Sequence, residues 1–388
     1  MKILVITPIG YGSARSGGAE VYIFELVKRI TLKTNIDVTI LTSNKDIEYV
    51  KQQEQKLRIE SISQDLFMFP LFLLLIIRRR IREADIVVEN ISKFPLIVPA
   101  IISRIAKRPF IAIVHHIHGN TLFMELPTVL AILLFFYEYI SLFIYALLRV
   151  PVITVSKTSE AELRKLGFRN IYVVHPGLVR LIGNDDNTLR KSMRPLLVYV
   201  NRVRKYKRLD HFVKACKYVI EEVPDATCLI VGKGDEKLGA SLRRLASRLG
   251  VEKQVKIFVS NVSDNLRYKI LGKAWLGVFT SAKEGFGIGV LETLSQGVPV
   301  VAYDIPAMRE LLAGCYSGVL VRNGDINHLA RQCIKILKST EALLSMSSEA
   351  RRFVKARSKI YSYDVSAIRF LKAIVTYLKS KDEEQCKA

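Results

Sequence analysis

Cysteine is sparse in this sequence, and none of it has the spacing of a metal site. The five cysteines fall in the second half of the chain and include no Cys-x-x-Cys (Cys216, Cys228, Cys315, Cys333 and Cys386). A structural zinc site needs closely spaced ligands, and a disulfide scaffold needs a much higher cysteine density in a shorter chain. We therefore expect reduced, partly buried thiols, as in intracellular proteins.

Acidic residues are scarce relative to basic ones. The chain carries 59 Lys and Arg against 36 Asp and Glu, a formal net charge of +23, and it contains no Asp-x-Asp triplet. After residue 190 the imbalance is larger, with 35 basic residues against 19 acidic ones. This charge favours an anionic partner, either nucleic acid, an anionic membrane surface or a phosphate-bearing small molecule. The short apolar run Met1–Pro8 predicts a first strand and no signal peptide.

Strand and helix patterns alternate through both halves of the sequence. Half of the residues are hydrophobic (50%), and a length of 388 residues favours two domains, or three. The alternation predicts parallel, doubly wound sheets. The predicted strands are 2–7, 37–42, 57–62, 85–89, 109–114, 151–155, 171–174, 196–200, 226–231, 255–258, 276–280, 298–302 and 318–321. The predicted helices include 19–33, 95–106, 157–166, 207–222, 236–249, 287–296 and 325–338, with a helical pattern from 341 to 380.

A polar, turn-rich segment at 176–195 is the predicted linker between domains. It places an N-terminal domain at 1–180 and a C-terminal domain at 190–360. In the first of these, two helices are unusually apolar, Leu66–Ile77 and Val129–Leu148. The second is long enough to span a bilayer, but it lies between two strands of one sheet, so we exclude a span.

Two alternatives remain for these helices, a buried core and an interfacial position at a membrane. The first helix is followed at once by Arg78, Arg79, Arg80 and Arg82. An apolar face beside clustered arginines is the composition of a membrane-surface helix. An anionic membrane surface is therefore a candidate partner, through residues 66–82 and 129–149.

The most informative stretch is 282–303. Glycines at Gly285, Gly287 and Gly289 follow a strand and open a helix, where backbone can approach a ligand closely and N–H groups favour an anion. Glu284 and Glu292 are eight residues apart, so they can bind different hydroxyls of one ligand. The same pattern also fits an ordinary helix start.

Three weaker patterns also follow predicted strands. Asn201-Arg202 and Lys207 follow 196–200, where cations can clamp a diphosphate. Gly17-Gly18-Ala19-Glu20 opens the first predicted helix and resembles half of a phosphate-binding turn. His115-His116-Ile117-His118 ends a strand, but successive side chains there point to opposite sides and no partner has ligand spacing. We predict no metal, and one histidine pointing into a cleft between the domains.

Together these marks resemble the retaining glycosyltransferases of the GT-B architecture, family 4, also described as the group 1 type. The resemblance rests on the four patterns above together with Gly232-Lys233-Gly234 and Gly297-Val298-Pro299-Val300. It implies an α/β fold with two facing Rossmann-like domains, parallel sheets and a cleft between them. It also implies that a C-terminal helix, 361–380, packs back on the first domain.

The resemblance implies roles for individual residues. Arg202 and Lys207 would hold the donor diphosphate, Glu284 the sugar hydroxyls and Glu292 the ribose hydroxyls. His115 would lie near the sugar and the acceptor, with His116 the alternative because the doubled histidine makes the alignment ambiguous by one residue. The remaining donor contacts would come from Gly17, Gly18, Val262, Gly285, Phe286 and Gly287. The residues predicted to be catalytic are His115, Glu284, Arg202 and Lys207. One departure is Asn201, where family members often carry Gly.

The predicted reaction moves a hexose from a UDP- or GDP-sugar, without a metal and with no other cofactor, because fixed cations can stabilise a leaving diphosphate. The expected acceptor is a glycan or a polyprenyl-linked glycolipid, which implies a cytoplasmic protein bound peripherally to the membrane. Two alternatives remain. The same fold hosts nucleotide-sugar epimerases, which use no separate acceptor. A nucleic-acid binder is disfavoured because the basic residues are scattered and form no known nucleic-acid motif.

Overall fold

A computed structural model describes residues 1–11, 13, 16–43, 56–63, 65–66, 68–91, 95–179 and 191–387. The chain divides into two compact units, each built on its own parallel sheet. Unit 1 comprises Met1–Leu122, Pro127–Val179 and Ile360–Ala388, and unit 2 comprises Phe123–Leu126 and Arg180–Lys359.

The first unit contains a seven-stranded sheet with helices in the connections. Its strands are β1 (Lys2–Ile9), β2 (Asp37–Ser43), β3 (Leu57–Ser63), β4 (Ile86–Ile91), β5 (Phe110–Val114), β6 (Val152–Thr154) and β7 (Ile171–Val173). Its helices include α1 (Gly18–Lys33), α2 (Phe69–Glu83), α3 (Val98–Ile105), α5 (Thr128–Leu147) and α6 (Lys157–Lys165). The short helix α4 (Leu122–Glu125) lies between α3 and α5 in the chain, and all but its first residue belong to unit 2. All pairings are parallel, in the order β3-β2-β1-β4-β5-β6-β7.

The central strands are apolar on both sides because helices cover both faces of the sheet. Every residue of β4 and β5 is buried, which explains why Ile111–Val114 is an unbroken apolar run. The helix α5 connects β5 to β6, and these two strands pair in parallel from Ala112 opposite Val152. A transmembrane α5 would separate two hydrogen-bonded strands, so this geometry opposes a span.

The second unit repeats the plan with a six-stranded sheet. Its strands are β8 (Leu196–Val200), β9 (Thr227–Gly232), β10 (Val255–Val259), β11 (Leu276–Phe279), β12 (Val300–Tyr303) and β13 (Gly318–Val321). Its helices are α7 (Leu209–Glu222), α8 (Glu236–Arg248), α9 (Asp264–Lys273), α10 (Ile288–Ser295), α11 (Pro306–Leu311), α12 (Ile326–Leu337) and α13 (Thr340–Ala356). The order is β10-β9-β8-β11-β12-β13, again all parallel. The predicted fold class, two Rossmann-like domains with parallel sheets, is confirmed.

The last helix, α14 (Tyr363–Lys387), belongs to unit 1 although it follows unit 2 in the chain. Its first turn docks on α1, where Lys33 Nζ lies 2.8 Å from an oxygen of Asp364. Ser366 Oγ also donates to the carbonyl of His175 at 2.7 Å. Of the predicted linker, residues 180–190 lie outside the described residues.

One expectation about the cysteines is wrong. Cys216 of α7 and Cys228 of β9 are joined in a disulfide, with their Cα atoms 6.5 Å apart. No sequence pattern predicts this pair, because the pairing depends on how the helix packs on the strand and not on spacing. Cys315 and Cys333 are free and buried, as expected.

Candidate active site

The candidate site of unit 2 lies at the carboxyl ends of β8 and β11. The chain leaves β8 towards β9 and β10 on one side and returns to β11 on the other. Neighbouring loops therefore diverge at this point of the sheet and leave a crevice, which is where open α/β sheets bind ligands. Asn201 follows β8 directly, and Thr280 follows β11.

Two glycines let the loop after β8 pass close to β9. A Cβ added at Gly232 would lie 1.8 Å from the carbonyl oxygen of Asn201, and one at Gly234 would lie 2.2 Å from that of Val203. The loop is pinned there by two backbone bonds, from Asn201 N to Val231 O (3.1 Å) and from Val203 N to Lys233 O (2.7 Å). The Gly-Lys-Gly motif therefore sets the path of the backbone that carries Arg202.

Asn201 has a positional role of its own. Its Oδ1 accepts a hydrogen bond from the backbone N–H of Arg202 at 2.7 Å. A Cβ at Gly289 of α10 would lie 2.7 Å from Asn201 Nδ2, so the helix packs directly on this side chain. The hydroxyl of Tyr199 donates to the carbonyl of Arg202 at 3.0 Å. The departure from the family's glycine thus adds a side chain that braces Arg202 against α10.

Lys207 and Glu284 form a buried ion pair in this crevice. Nζ lies 2.5 Å from Oε1, and only 4% of the lysine side chain and 14% of the glutamate side chain are exposed. Ser281 Oγ donates to the same carboxylate oxygen at 2.7 Å. Burial alone would lower the pKa of Lys207, but the charge and hydrogen bond of Glu284 together with the effect of Tyr206 outweigh it, so the pKa lies above its ordinary value. Lys207 is therefore a fixed cation at neutral pH.

The two loops that carry this pair are also joined through their backbones. Thr280 Oγ1 donates to the carbonyl of Lys207 at 2.8 Å, and Ala282 N–H donates to that of Tyr206 at the same distance. The structure thus brings Lys207 and Glu284 together although 76 residues separate them in the sequence. A cation beside a carboxylate suits a ligand with both phosphate and hydroxyl groups.

The second predicted carboxylate is paired with a different cation. Glu292 lies on α10 with its side chain 6% exposed, and its Oε1 is 3.0 Å from Arg267 on α9. The loop that precedes α9 contains the half-buried Val262, and the hydroxyl of Ser263 caps the helix. Sequence reasoning missed Arg267, because no spacing links α9 to α10.

The glycine-rich turn forms the start of α10. Gly287 is the residue before the helix and has φ 107°, a conformation that favours glycine. A Cβ there would also lie 2.4 Å from Met308. Phe286 is buried and Gly285 half-buried. This turn therefore has a steric reason for its glycine whether or not a ligand binds.

In unit 1, the predicted glycine turn is the start of α1. Gly17 precedes the helix, and its N–H donates to Glu20 Oε2 at 2.6 Å. Gly18 is the first helical residue and is exposed. Glu20 thus satisfies the Gly17 N–H from within the chain, which leaves Gly18 as the more accessible of the two predicted glycines.

His115 belongs to a buried polar chain across β1, β4 and β5. Asn90 Nδ2 donates to Thr7 Oγ1 at 3.1 Å, so Asn90 Oδ1 is the atom that lies 2.7 Å from His115 Nε2 and accepts a hydrogen bond from its N–H. Burial lowers the pKa of His115 to about 3. The imidazole is therefore neutral, with its proton on Nε2, and the Nδ1 lone pair makes it an acceptor. Asn90 carried no sequence signal.

His116 has a different environment. It is half-buried, and its ring centroid lies 4.6 Å from that of His118. Glu138, the one acidic residue of α5, holds the following turn. One carboxylate oxygen accepts from His118 N–H at 2.7 Å and lies 3.0 Å from its Nδ1, and the other accepts from Gly119 N–H at 2.8 Å. An apolar helix thus positions the histidine loop through its single carboxylate.

A second buried carboxylate supports the same region. Tyr145 of α5 donates to Glu89 of β4 at 2.5 Å, and the N–H of Leu96 donates to its other oxygen at 2.8 Å. Burial raises the pKa of Glu89 to about 7 despite these bonds. Sequence reasoning missed this residue, although a glutamate inside the apolar run of β4 was a usable signal.

Among the described residues, no group of three or more His, Cys, Asp or Glu side chains is arranged to hold a metal ion. The histidine cluster fits this result, because His115 is turned to Asn90 and His118 to Glu138.

Each half of the chain matches a family of glycosyltransferases. Residues 16–179 match Glycosyltransferase Family 4, and residues 184–353 match Glycosyl transferases group 1. The two halves of the chain are therefore similar to these two glycosyltransferase families. The family resemblance inferred from the motifs is confirmed at this level.

Two curated relatives match part of this chain. Poly(glycerol-phosphate) alpha-glucosyltransferase of Bacillus subtilis is 30% identical over 165 residues, 42% of this chain and 24% of that protein. N-acetyl-alpha-D-glucosaminyl L-malate synthase of Bacillus anthracis is 31% identical over 159 residues, 41% of this chain and 40% of that protein. The chain thus spans less than half the length of these relatives.

A solved structure matches this chain over nearly its whole length. The crystal structure of Anabaena HepE in complex with UDP and glucose has a TM-score of 0.77 and 19% identity, and the match covers 97% of this chain and 100% of that one. At this identity, the likeness shows a shared fold.

Unit 1 also carries many exposed apolar side chains on two of its helices. Buried residues of α2, α3 and α5 join one core cluster against the sheet, so their outer faces lie on the same side of the unit. We call the outward side chains of α2 and α5 that are at least half exposed the apolar surface: Leu71, Leu74, Leu75, Val129, Leu133, Phe136, Ile140, Phe143 and Leu147. The helix α5 has the length and composition of a membrane span, and 28% of its most apolar 18-residue stretch is buried inside the structure.

The arginines beside this surface are partly neutralised. Arg79 pairs with Glu83 at 2.9 Å, and Arg80 pairs with Glu60 and Glu83. The cluster predicted from the sequence is therefore less cationic than its composition indicates.

Proposed function

We propose that the chain transfers a hexose from a nucleotide diphosphate sugar to an acceptor, with retention of configuration and without a metal ion. The buried Lys207–Glu284 pair at the crevice of unit 2 carries this proposal. A buried cation fixed by a neighbouring carboxylate stabilises the charge that develops on a leaving diphosphate, and it needs no reorganisation to do so.

The other residues extend the site from that pair. Arg202, braced by Asn201, binds the diphosphate beside Lys207. Glu284 binds sugar hydroxyls, and Glu292 binds the ribose hydroxyls. Backbone at Gly285, Phe286 and Gly287, and the loops at Val262 and at Gly17 and Gly18, complete the donor contacts. The donor is a UDP- or GDP-sugar.

We propose His115 as the histidine near the sugar and the acceptor. Its neutral imidazole can accept a hydrogen bond from a hydroxyl but is a poor proton acceptor overall, because its pKa is lowered to about 3. This suits a retaining transfer in which the leaving phosphate takes the acceptor proton. His116, which is half-buried, is the alternative. His115→Ala and His116→Ala separate the two through their effects on kcat.

Donor use is tested by measuring nucleoside diphosphate release from UDP-, GDP- and ADP-sugars in EDTA. We expect release from one of these sugar nucleotides. Lys207→Met and Glu284→Gln should each reduce it by at least 100-fold, which is the typical loss when one group that stabilises the transition state is removed. Lys338→Met, which removes an exposed ion pair with Glu222, is the matched control and should leave release unchanged. Isomerised sugar without transfer would establish the epimerase alternative, and release only with added metal would contradict the metal-independent reaction.

We propose a lipid-linked acceptor, such as a polyprenyl-linked glycolipid or glycan, reached from the cytoplasmic face of an anionic membrane. The apolar surface supports this, since many exposed apolar side chains on one side of a unit are typical of a binding surface. Co-sedimentation with anionic vesicles tests it. We expect binding that Leu133→Ser with Phe136→Ser weakens and that Tyr316→Ser, on unit 2, does not change. No binding at low salt would contradict the membrane part alone.

A further inference from the structure

We propose that Arg267 is a positioning residue for the donor nucleotide, holding the Glu292 carboxylate in place for the ribose hydroxyls. This inference rests on the proposed function, because Glu292 has a ligand to hold only if the crevice of unit 2 binds a nucleotide. Arg267 itself lies outside every motif of the sequence.

The geometry of Arg267 fixes Glu292 from one side. The Nη2 of Arg267 lies 3.0 Å from Glu292 Oε1 and 2.9 Å from Asp264 Oδ1. Asp264 begins α9, so the arginine is anchored by its own helix while it reaches across to α10. Its guanidinium also lies over the ring of Tyr268, 5.6 Å from the centroid. The arginine is therefore held at three points, and the carboxylate is held by the arginine.

The contact between Arg267 and Glu292 also affects the ionisation of Glu292. Burial raises the pKa of Glu292, and the charge of Arg267 opposes that rise. A carboxylate accepts hydrogen bonds from two hydroxyls only while it is ionised. Asp264, the other charged group near Glu292, raises its pKa further, so Arg267 is the group that favours ionisation there.

The place of Arg267 in the chain relates it to a second proposed donor contact. Its helix, α9, follows directly after the loop that carries Val262. Arg267 is therefore close in the chain to that loop, while its side chain reaches Glu292 on α10.

The test compares ribonucleotides with their 2′-deoxy forms. Calorimetry would measure the Kd of UDP, GDP and ADP, and then of the 2′-deoxy form of whichever binds best. We expect Arg267→Met to weaken the ribonucleotide about tenfold, the value of one charge-assisted hydrogen bond, and to remove most of the preference for ribose. Without the charge of Arg267 the pKa of Glu292 is higher than in the wild type. The nucleotide affinity of the Arg267→Met protein should therefore recover as pH rises from 6 to 9 and Glu292 ionises.

Further variants separate positioning from folding. Arg267→Lys should restore part of the affinity. Glu292→Gln should lose the ribose preference, and adding Arg267→Met to it should cost no more, since both act through one carboxylate. Arg352→Met, which breaks the exposed pair with Glu349 at the same i,i+3 spacing, is the matched control. The emission of Trp275, the only tryptophan, reports whether unit 2 is folded; if Arg267→Met does not fold, the Arg267→Lys comparison decides.

The outcomes separate this inference from the proposed function. If the wild type binds none of the three nucleotides, the proposed function fails and the inference fails with it. If the wild type prefers ribose and the Arg267 variants keep that preference, only the inference is overturned.

Discussion

Replacing Glu284 by Gln should destabilise unit 2 strongly and make its stability depend on pH in the opposite sense. The substitution leaves Lys207, whose side chain is 4% exposed, as a buried charge without its carboxylate. Breaking one partner of a buried pair costs about 3–5 kcal/mol. The Gln amide oxygen still accepts a hydrogen bond, so we expect about 3 kcal/mol, or roughly 6–12 °C in Tm for a unit of this size.

The direction in which stability changes with pH follows from the pKa of Lys207. In the wild type the pKa of Lys207 is raised, so the stability from the pair is full at neutral pH and is lost as pH rises through that pKa. Without Glu284, burial dominates and lowers the pKa of Lys207. The variant should therefore regain stability as pH rises from 7 to 9.5, while the wild type does not.

Urea unfolding followed by Trp275 fluorescence measures this in unit 2, since Trp275 lies beside β11 and its Nε1 donates to the carbonyl of Ser192 at 2.9 Å. The double variant Lys207→Met with Glu284→Gln should recover part of the loss, because no buried charge remains. A Glu284→Gln protein as stable as the wild type at pH 7, or one that weakens as pH rises, would refute the reasoning.

Three further predictions concern groups that position the candidate site. Glu138→Gln should destabilise unit 1 by about 1–3 kcal/mol, because the amide cannot accept all of the bonds from His118 and Gly119; circular dichroism during thermal unfolding measures it, and an unchanged Tm would contradict the anchoring role. The pKa of Glu89 is raised to about 7, so its contribution to stability is full below about pH 4 and is lost as pH rises through 7; Glu89→Gln should flatten this slope in denaturation curves from pH 4.5 to 8, and an unaltered slope would show that another group titrates. Gly232→Ala would put a Cβ 1.8 Å from the carbonyl oxygen of Asn201, so it should displace Arg202 and raise the Kd of the donor nucleotide at least tenfold, which is about 1.4 kcal/mol; calorimetry with unchanged affinity would count against the role of this loop.

The fold was accessible from the sequence because its signals are local. Bare apolar runs such as Ile111–Val114 predict strands that are covered on both faces, and the structure buries all of β5. The predicted strand positions agree with the observed ones to within about two residues, with β12 beginning at Val300. The short helices were predicted less well. The sequence did not predict α9 because Asp264–Lys273 has little amphipathic pattern, and it did not predict α11 because Pro306–Leu311 forms fewer than two turns.

The site was accessible only in part, because its contacts are long-range. The motifs named Lys207 and Glu284 separately, but that they neutralise each other in a buried pair depends on the return of the chain from β8 to β11. Arg267, Asn90 and the Cys216–Cys228 pair had no signal at all, since each depends on packing between elements. The sequence left α5 open between core and interface, and in the structure one face of this helix is buried and the other is exposed. The roles of the site residues stay predictions.

The reaction that we propose transfers a sugar from a nucleotide donor by means of the Lys207–Glu284 crevice. The most direct measurement is incorporation of labelled sugar from the donor into a lipid extract in the presence of EDTA, with the anomeric proton coupling of the product read by NMR. We predict a labelled lipid product that keeps the donor's anomeric configuration and is absent with Lys207→Met. Inverted product, or equal incorporation by the Lys207→Met protein, would contradict the account.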